Sequence, residues 1–308
     1  MIANFFKQSK PILHVLLVVV LSTYFILEIF KSAIIQASEL NVLLMTVLKY
    51  IFLLISYLFF NYVVSYFEIE KYHAYGALVF VLLSSILMPN IFNTLIIFGF
   101  VILSIGIWRL LNILKSNNPI SCIFDATFLI ILSSLFYQPF VYLLLLILVA
   151  SLVFLPPKLS YFISPILSIC AFVIIVQMYN IFRFDEQVGF DFFLPDFNLN
   201  VYHYYEKLYD WTLFIWFALS ILCAYQIIQV RRKRALYHKE MASFFLSFLG
   251  LSFLLFMFSE VSIAELWMLS LWPLSIYLGD FLSRIVSKLK LELFFWAFIV
   301  LSISFLIW

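Results

Sequence analysis

Residues 73–111 read HAYGALVFVLLSSILMPNIFNTLIIFGFVILSIGIWRLL. Two apolar runs, 73–88 and 91–111, meet at the short link Pro89-Asn90. A bilayer core about 30 Å thick takes ~20 apolar residues in a helix, with a range of about 17–25. The second run has the length of one crossing, and the first is a little short. The pattern extends both ways along the chain. Further spans fall near 12–30, 41–64, 122–137, 139–155, 159–181, 210–229, 241–259, 262–283 and 290–308, which makes eleven. Backbone polar groups in hydrocarbon must bond within their own segment, so spans of this kind are helices. The runs are continuous and do not alternate, which excludes a β-barrel. The expected fold is therefore all-α, a polytopic transmembrane bundle forming one integral domain over residues 1–308.

Composition requires the same solvent. Of the 308 residues, 66% are hydrophobic and 11% charged, with a mean hydropathy of +1.14. A water-soluble domain carries roughly a quarter of charged residues. The chain holds 38 Phe and only 6 Gly, so glycine-based close packing of helices is not expected to dominate. Cys122, Cys170 and Cys223 lie far apart in apolar runs and read as small buried hydrophobes, with neither a disulfide nor a metal site predicted. The first run, 12–30, is too long for a signal h-region and has no small-residue cleavage site behind it, so it is expected to stay as the first helix.

The short spans, 73–88, 122–137 and 139–155, have tight links, Pro89-Asn90 and Gln138-Pro139. Such hairpins are expected inside the bundle or in a locally thin region. Basic residues set the orientation. With the N-terminus in the cytoplasm, that side holds Lys7, Lys10, Lys71, Arg109, Lys115, Lys158, Arg231, Arg232, Lys233, Arg234, Lys239, Arg284, Lys288 and Lys290. The outer side holds Lys31, Lys49, Arg183 and Lys207. An odd number of crossings puts the C-terminus outside. Residues 1–11, MIANFFKQSKP, read as an inner interfacial segment ending at Pro11, a residue suited to a helix start. Residues 182–209 form the long outer loop. Within it Val201, Tyr205, Leu208, Tyr209 and Thr212 follow helical spacing, as a short amphipathic helix on the surface would.

An internal echo is present. ALVFVLLSSILMPN (77–90) and ATFLIILSSLFYQP (126–139) place Ser84-Ser85 and Ser133-Ser134 at matching positions. Either the hairpins repeat, or low-complexity apolar sequence aligns with itself. The serines suit close contacts and hydrogen bonds between helices.

Signatures of chemistry are sparse. Nucleotide-binding loops, HExxH and CxxC are absent, and no cofactor or metal is expected. The RRKR run, Arg231 to Arg234, reads as a topology and lipid anchor on anionic headgroups; no nucleic-acid partner is expected. Asp125 reads as the acid at the start of the fifth span, Asp280 and Arg284 as a local pair, and Glu260 and Glu265 as solvated loop acids. An expected site at the outer interface gathers Glu28 and Glu39 as candidate catalytic carboxylates, with Lys31, Arg183, Asp185 and Glu186 binding substrate. A partly buried carboxylate can act as general base, and an arginine can grip a phosphate through two hydrogen bonds. The plain alternative is solvated loop charges. The hypothesis demands that the first, second and seventh spans be neighbours.

Three stretches carry a resemblance: MIANFFKQSKP, FDATFLIILSSLFYQPFVYLLLLILVASLVF (124–154) and LWPLSIYLGDF (271–281). They resemble a flavobacterial-type (Bacteroidota) family of multi-pass inner-membrane proteins with a domain of unknown function. That resemblance implies a bacterial inner membrane and supplies no catalytic residues. Helix number and an acid in the first outer loop are also similar to polytopic glycosyltransferases that use polyprenyl-linked sugars. The expected function is an accessory or scaffold subunit in cell-envelope assembly. The alternatives are a transferase or polymerase on a polyprenyl-linked substrate, or a transporter or lipid flippase. Expected partners are membrane lipids and, for the first two roles, other envelope membrane proteins or that lipid-linked substrate.

Overall fold

A computed structural model describes the backbone of residues 6, 11–35, 40–69, 73–87, 93–184, 211–233, 236–258, 262–285, 287, 289–294, 296–297 and 300. Side chains are described for 6, 12–27, 29, 44–69, 73–85, 93–178, 212–229, 237–257 and 262–285, and for the described residues beyond. Every element described is helical. In chain order they are α1 (Pro11–Ile35), α2 (Leu40–Tyr66), α3 (Tyr75–Leu87), α4 (Thr94–Asn112), α5 (Pro119–Ser134), a 3-10 turn (Gln138–Leu143) running into α6 (Leu144–Phe154), α7 (Leu159–Phe184), α8 (Trp211–Lys233), α9 (Leu236–Phe258) and α10 (Ile263–Arg284). The positions follow the apolar runs, because the length of each run sets the length of its helix.

Local chemistry fixes several ends. The Asn93 side chain accepts the Leu95 N–H at 2.9 Å, capping α4. Pro119 begins α5, where its missing N–H costs nothing. Pro139 lies in the 3-10 turn that separates α5 from α6. Ser262 and Glu265 form a reciprocal capping box on α10. α2 ends in a Schellman cap: the Ile69 N–H reaches the Val64 carbonyl at 3.0 Å and the Glu68 N–H the Ser65 carbonyl at 3.1 Å. Glu68 takes φ = 52° there, a left-handed position usually given to glycine.

Helix directions alternate throughout. α1 and α2 are antiparallel, with His14 beside Tyr57 and Ser22 beside Tyr50. α2 and α4 are parallel: the Thr94 hydroxyl reaches the Met45 carbonyl near one end, and the Tyr66 hydroxyl reaches Asn112 at the other. α4 and α5 form an antiparallel hairpin, and α5 lies parallel to α7 through Ser164 and Ser168. The Trp216 indole on α8 donates to Ser270 on α10 at 2.7 Å, and Phe253 on α9 stacks on Trp216 at 6.0 Å. These contacts define two ends. Pro11, Tyr66, Asn112, Pro119, Lys233 and Arg284 lie at the lower end, and Thr94, Tyr137 and Ser262 at the upper.

The centre belongs to α3 and α10, which pack on each other. Residues 74–85 and 266–280 are buried on every side, as helices with no lipid-facing stripe must be. Phe60 of α2 stacks on Phe80 at 4.7 Å and meets Trp272 edge-on at 5.5 Å. The outer helices carry bare apolar stripes instead, Ile166, Ile174 and Met178 on α7 and Phe214, Ile221 and Tyr225 on α8. Five described helical stretches are long and apolar enough to cross a membrane: Leu44–Tyr66, Thr94–Asn112, Leu159–Met178, Thr212–Gln229 and Tyr237–Met257. The chain is thus an all-helical protein of membrane type.

Several expectations from sequence are corrected. Of the short spans, α3 is interior, but α5 and α6 expose Ile120, Leu145, Leu148 and Leu152. Among the described residues Ser84, Ser85, Ser133 and Ser134 do not bond between helices; each hydroxyl donates to the carbonyl three residues back on its own helix. Asp125 is the seventh residue of α5 and not its start, because Pro119 opens the helix earlier. Cys122 and Cys223 are buried but Cys170 is exposed, on the outer stripe of α7. Glycine does set one close approach. A Cβ on Gly99 would stand 3.1 Å from both Phe136 and Phe140, and one on Gly106 3.3 Å from Ile130. Phe6 is 3% exposed and its carbonyl accepts the Ala74 N–H at 3.0 Å, so this residue lies inside the bundle at the entry to α3.

Candidate functional site

The outer-interface residues come from two parts of the bundle. Glu28 and Lys31 sit on the later turns of α1, and Arg183 on the last turn of α7. Glu39, Asp185 and Glu186, and the side chains of all six, lie outside the described residues. The principal packing partners of α1 are α2 and α3, and those of α7 are α5 and α6. Among the described residues, these principal contacts do not include one between α7 and either α1 or α2. Arg231, Arg232 and Lys233 occupy the last turn of α8; their side chains, and Arg234 entirely, lie outside the described residues. So does the 182–209 loop beyond Phe184.

At the upper end the structure builds a junction. Sequence leaves Glu265 as a solvated acid, but its Oε2 accepts the Ser262 N–H at 2.7 Å and the Tyr137 hydroxyl at 2.5 Å. Tyr137 precedes the 3-10 turn and packs edge-on against Phe140 at 5.0 Å. Burial pushes its phenol well above the ordinary tyrosine range, and the Glu265 charge and hydrogen bond push the same way. The carboxylate is thus committed to a helix cap and a buried donor. It ties the α5–α6 turn to the start of α10.

The lower end is richer in charge and aromatic surface. Lys115 donates to the Tyr66 carbonyl at 2.5 Å and lies 4.3 Å over the Tyr66 ring and 5.3 Å over Phe67. A lysine on a C-terminal carbonyl complements the helix dipole. Arg109 pairs with Asp125 at 3.4 Å, and its guanidinium stands 5.1 Å over the Trp108 ring. Both members of this pair are more than a third exposed, so it adds little to stability. The Tyr62 ring joins the two sets, 5.9 Å from Tyr66 and 6.3 Å from Trp108. Asp280 pairs with Arg284 one turn on, as sequence predicts. Sequence names Arg109 and Lys115 here but not their partners, because Asp125 and Tyr66 belong to other helices, Tyr66 at a separation of 49 residues.

Between these ends the interior is aromatic. Apart from Lys49 on α2, the described Asp, Glu, Lys and Arg residues stand in turns or within about two turns of a helix end. Among the described residues no three His, Cys, Asp or Glu side chains group as a metal site would. No family model, no curated protein and no solved structure matches this chain.

Proposed function

We propose that this chain serves the cell envelope as an accessory or scaffold subunit in a bacterial inner membrane. It crosses about eleven times, with its N-terminus in the cytoplasm and its C-terminus outside. The observation that carries the role is the filling of the bundle's centre. α3 and α10 are buried on all sides and seal against α2 with Phe60, Phe80 and Trp272. A carrier needs a polar route near the middle of the membrane, and a transferase needs a concave site with convergent polar groups. Packing of this kind supports neither, whereas a rigid bundle with committed end junctions suits a docking element. Its orientation rests on the excess of bases at the lower end.

Two experiments test this. In a deletion strain, complementation should survive Glu28→Gln, Glu39→Gln and Arg183→Gln, each made singly. Loss of complementation by a correctly inserted variant would point to an enzyme or a carrier. Cysteine labelling should place residues 116 and 235 in the cytoplasm, and residue 195 and the C-terminus outside. Labelling of 195 from the cytoplasm alone would overturn the orientation.

A further inference from the structure

We propose that the groove between α2 and α4 at the lower end holds one anionic phospholipid. Its phosphate would be gripped by Arg109, Lys115 and the Tyr62 hydroxyl. The proposal needs the chain to sit in a membrane and does not depend on the scaffold role.

The groove is continuous. Phe59, Tyr62 and Tyr66 recur along one face of α2, and their rings follow one another at 6.1 and 5.9 Å. Trp108 of α4 closes the other wall, 6.1 Å from Phe59 and 6.3 Å from Tyr62. Tyr62 and Tyr66 are 51% and 38% exposed, so the ladder opens outward, toward the lipid, and not into the core. It starts in the apolar depth of the bundle and ends at the lower surface with two cations. Lys115 stands on Tyr66 and Arg109 on Trp108, and Tyr62 touches both of those rings. Each base therefore rests on a ring that the exposed Tyr62 touches.

Each of the three groups keeps donors in reserve. An ammonium has three N–H donors and a guanidinium five. Lys115 gives one to the Tyr66 carbonyl, and Arg109 pairs with Asp125 at 3.4 Å. The Tyr62 hydroxyl has no hydrogen-bond partner among the described residues, whereas the Tyr66 hydroxyl is committed to Asn112. Aromatic rings beneath the cations fix their positions and limit their hydration. Asp125, and Glu68 in the turn beyond Phe67, moderate the field, so a phosphodiester bearing one charge fits better than a phosphate bearing two. An amphiphile matches the groove at both ends: acyl chains along Phe59 and Tyr62, and a headgroup at the membrane surface, where basic residues meet anionic lipid.

Native mass spectrometry of the protein released from nanodiscs of equal phosphatidylglycerol and phosphatidylcholine content tests the proposal. The wild type should retain one phosphatidylglycerol in preference to phosphatidylcholine. Arg109→Gln with Lys115→Gln should weaken retention about a hundredfold, the loss of two charge-assisted contacts at about tenfold each, while Lys115→Arg keeps it. Tyr62→Ala removes an exposed ring and no charge, and should also weaken retention; it serves if the double variant fails to insert. Excess inorganic phosphate should leave retention unchanged. Displacement by inorganic phosphate would assign a free-phosphate site and overturn the lipid proposal. Equal retention of both lipids, or full retention by Tyr62→Ala, would overturn it as well.

Discussion

Tyr137 and Glu265 are 128 residues apart, and the phenol donates to the carboxylate at 2.5 Å. This bond joins the tight turn after α5 to the first turn of α10, and so links an outer hairpin to the central helix. A hydrogen bond to a charged group contributes roughly 1.5–3 kcal/mol. Tyr137→Phe should therefore lower the unfolding free energy by about 2 kcal/mol, read by thermal unfolding in detergent. Glu265→Gln should cost less than Glu265→Ala, because the amide oxygen still accepts the Ser262 N–H and preserves the cap. If Tyr137→Phe left the midpoint unmoved, the junction would not be a stabilising element.

The same bond gives a pH prediction. The phenol's folded-state pKa is raised above the ordinary value of about 10. The stability it contributes is fully present below about pH 10 and is lost as pH rises through the folded-state pKa. The ultraviolet difference spectrum between wild type and Tyr137→Phe should thus show no phenolate band at pH 10, where a free tyrosine is half ionised. A half-developed band there would place the phenol in water.

Glu68 holds a left-handed backbone, φ = 52°, which costs a non-glycine residue roughly 1–2 kcal/mol. Glu68→Gly should stabilise the protein by about 1 kcal/mol, measured against Glu68→Ala, which keeps the strain. A loss of stability instead would mean that the Glu68 side chain outweighs the strain it carries.

Three glycines should separate cleanly. At Gly99 a methyl group would press on Phe136, Phe140 and the Ser133 carbonyl, at Gly106 it would crowd Ile130, and at Gly250 it would meet nothing within 4 Å. Gly99→Ala should destabilise most, by roughly 1–3 kcal/mol for overpacking, and Gly106→Ala less. Gly250→Ala should be neutral, or stabilising by up to about 1 kcal/mol from helix propensity. Chemical unfolding of the three variants checks the order.

Serines that look alike should also separate. Ser164 and Ser168 donate across to the Ile120 and Phe124 carbonyls of α5 at 3.1 and 2.9 Å. Ser84 and Ser85 donate within α3. Interhelical bonds in membranes average about 0.6 kcal/mol, so Ser164→Ala with Ser168→Ala should cost about 1 kcal/mol. Ser84→Ala should cost much less, because the backbone carbonyl that Ser84 engages keeps its helical partner. Comparable losses at both sites would remove the distinction.

By itself the sequence determined the solvent, the helices and their order. Each rests on local chemistry: apolar run length and proline breaks are readable from neighbours in the chain. The pairing of Asp280 with Arg284, one helical turn apart, was legible for the same reason. Only the tertiary structure decided which helices are central. The central α10 is less apolar than the lipid-facing α7, and hydropathy cannot tell a neighbour made of protein from one made of lipid, since both are equally apolar. The same limit hid the partners of Glu265, Arg109 and Lys115. Each acid or base was visible, but Tyr137, Asp125 and Tyr66 reach them only through packing, and no sequence period encodes that distance.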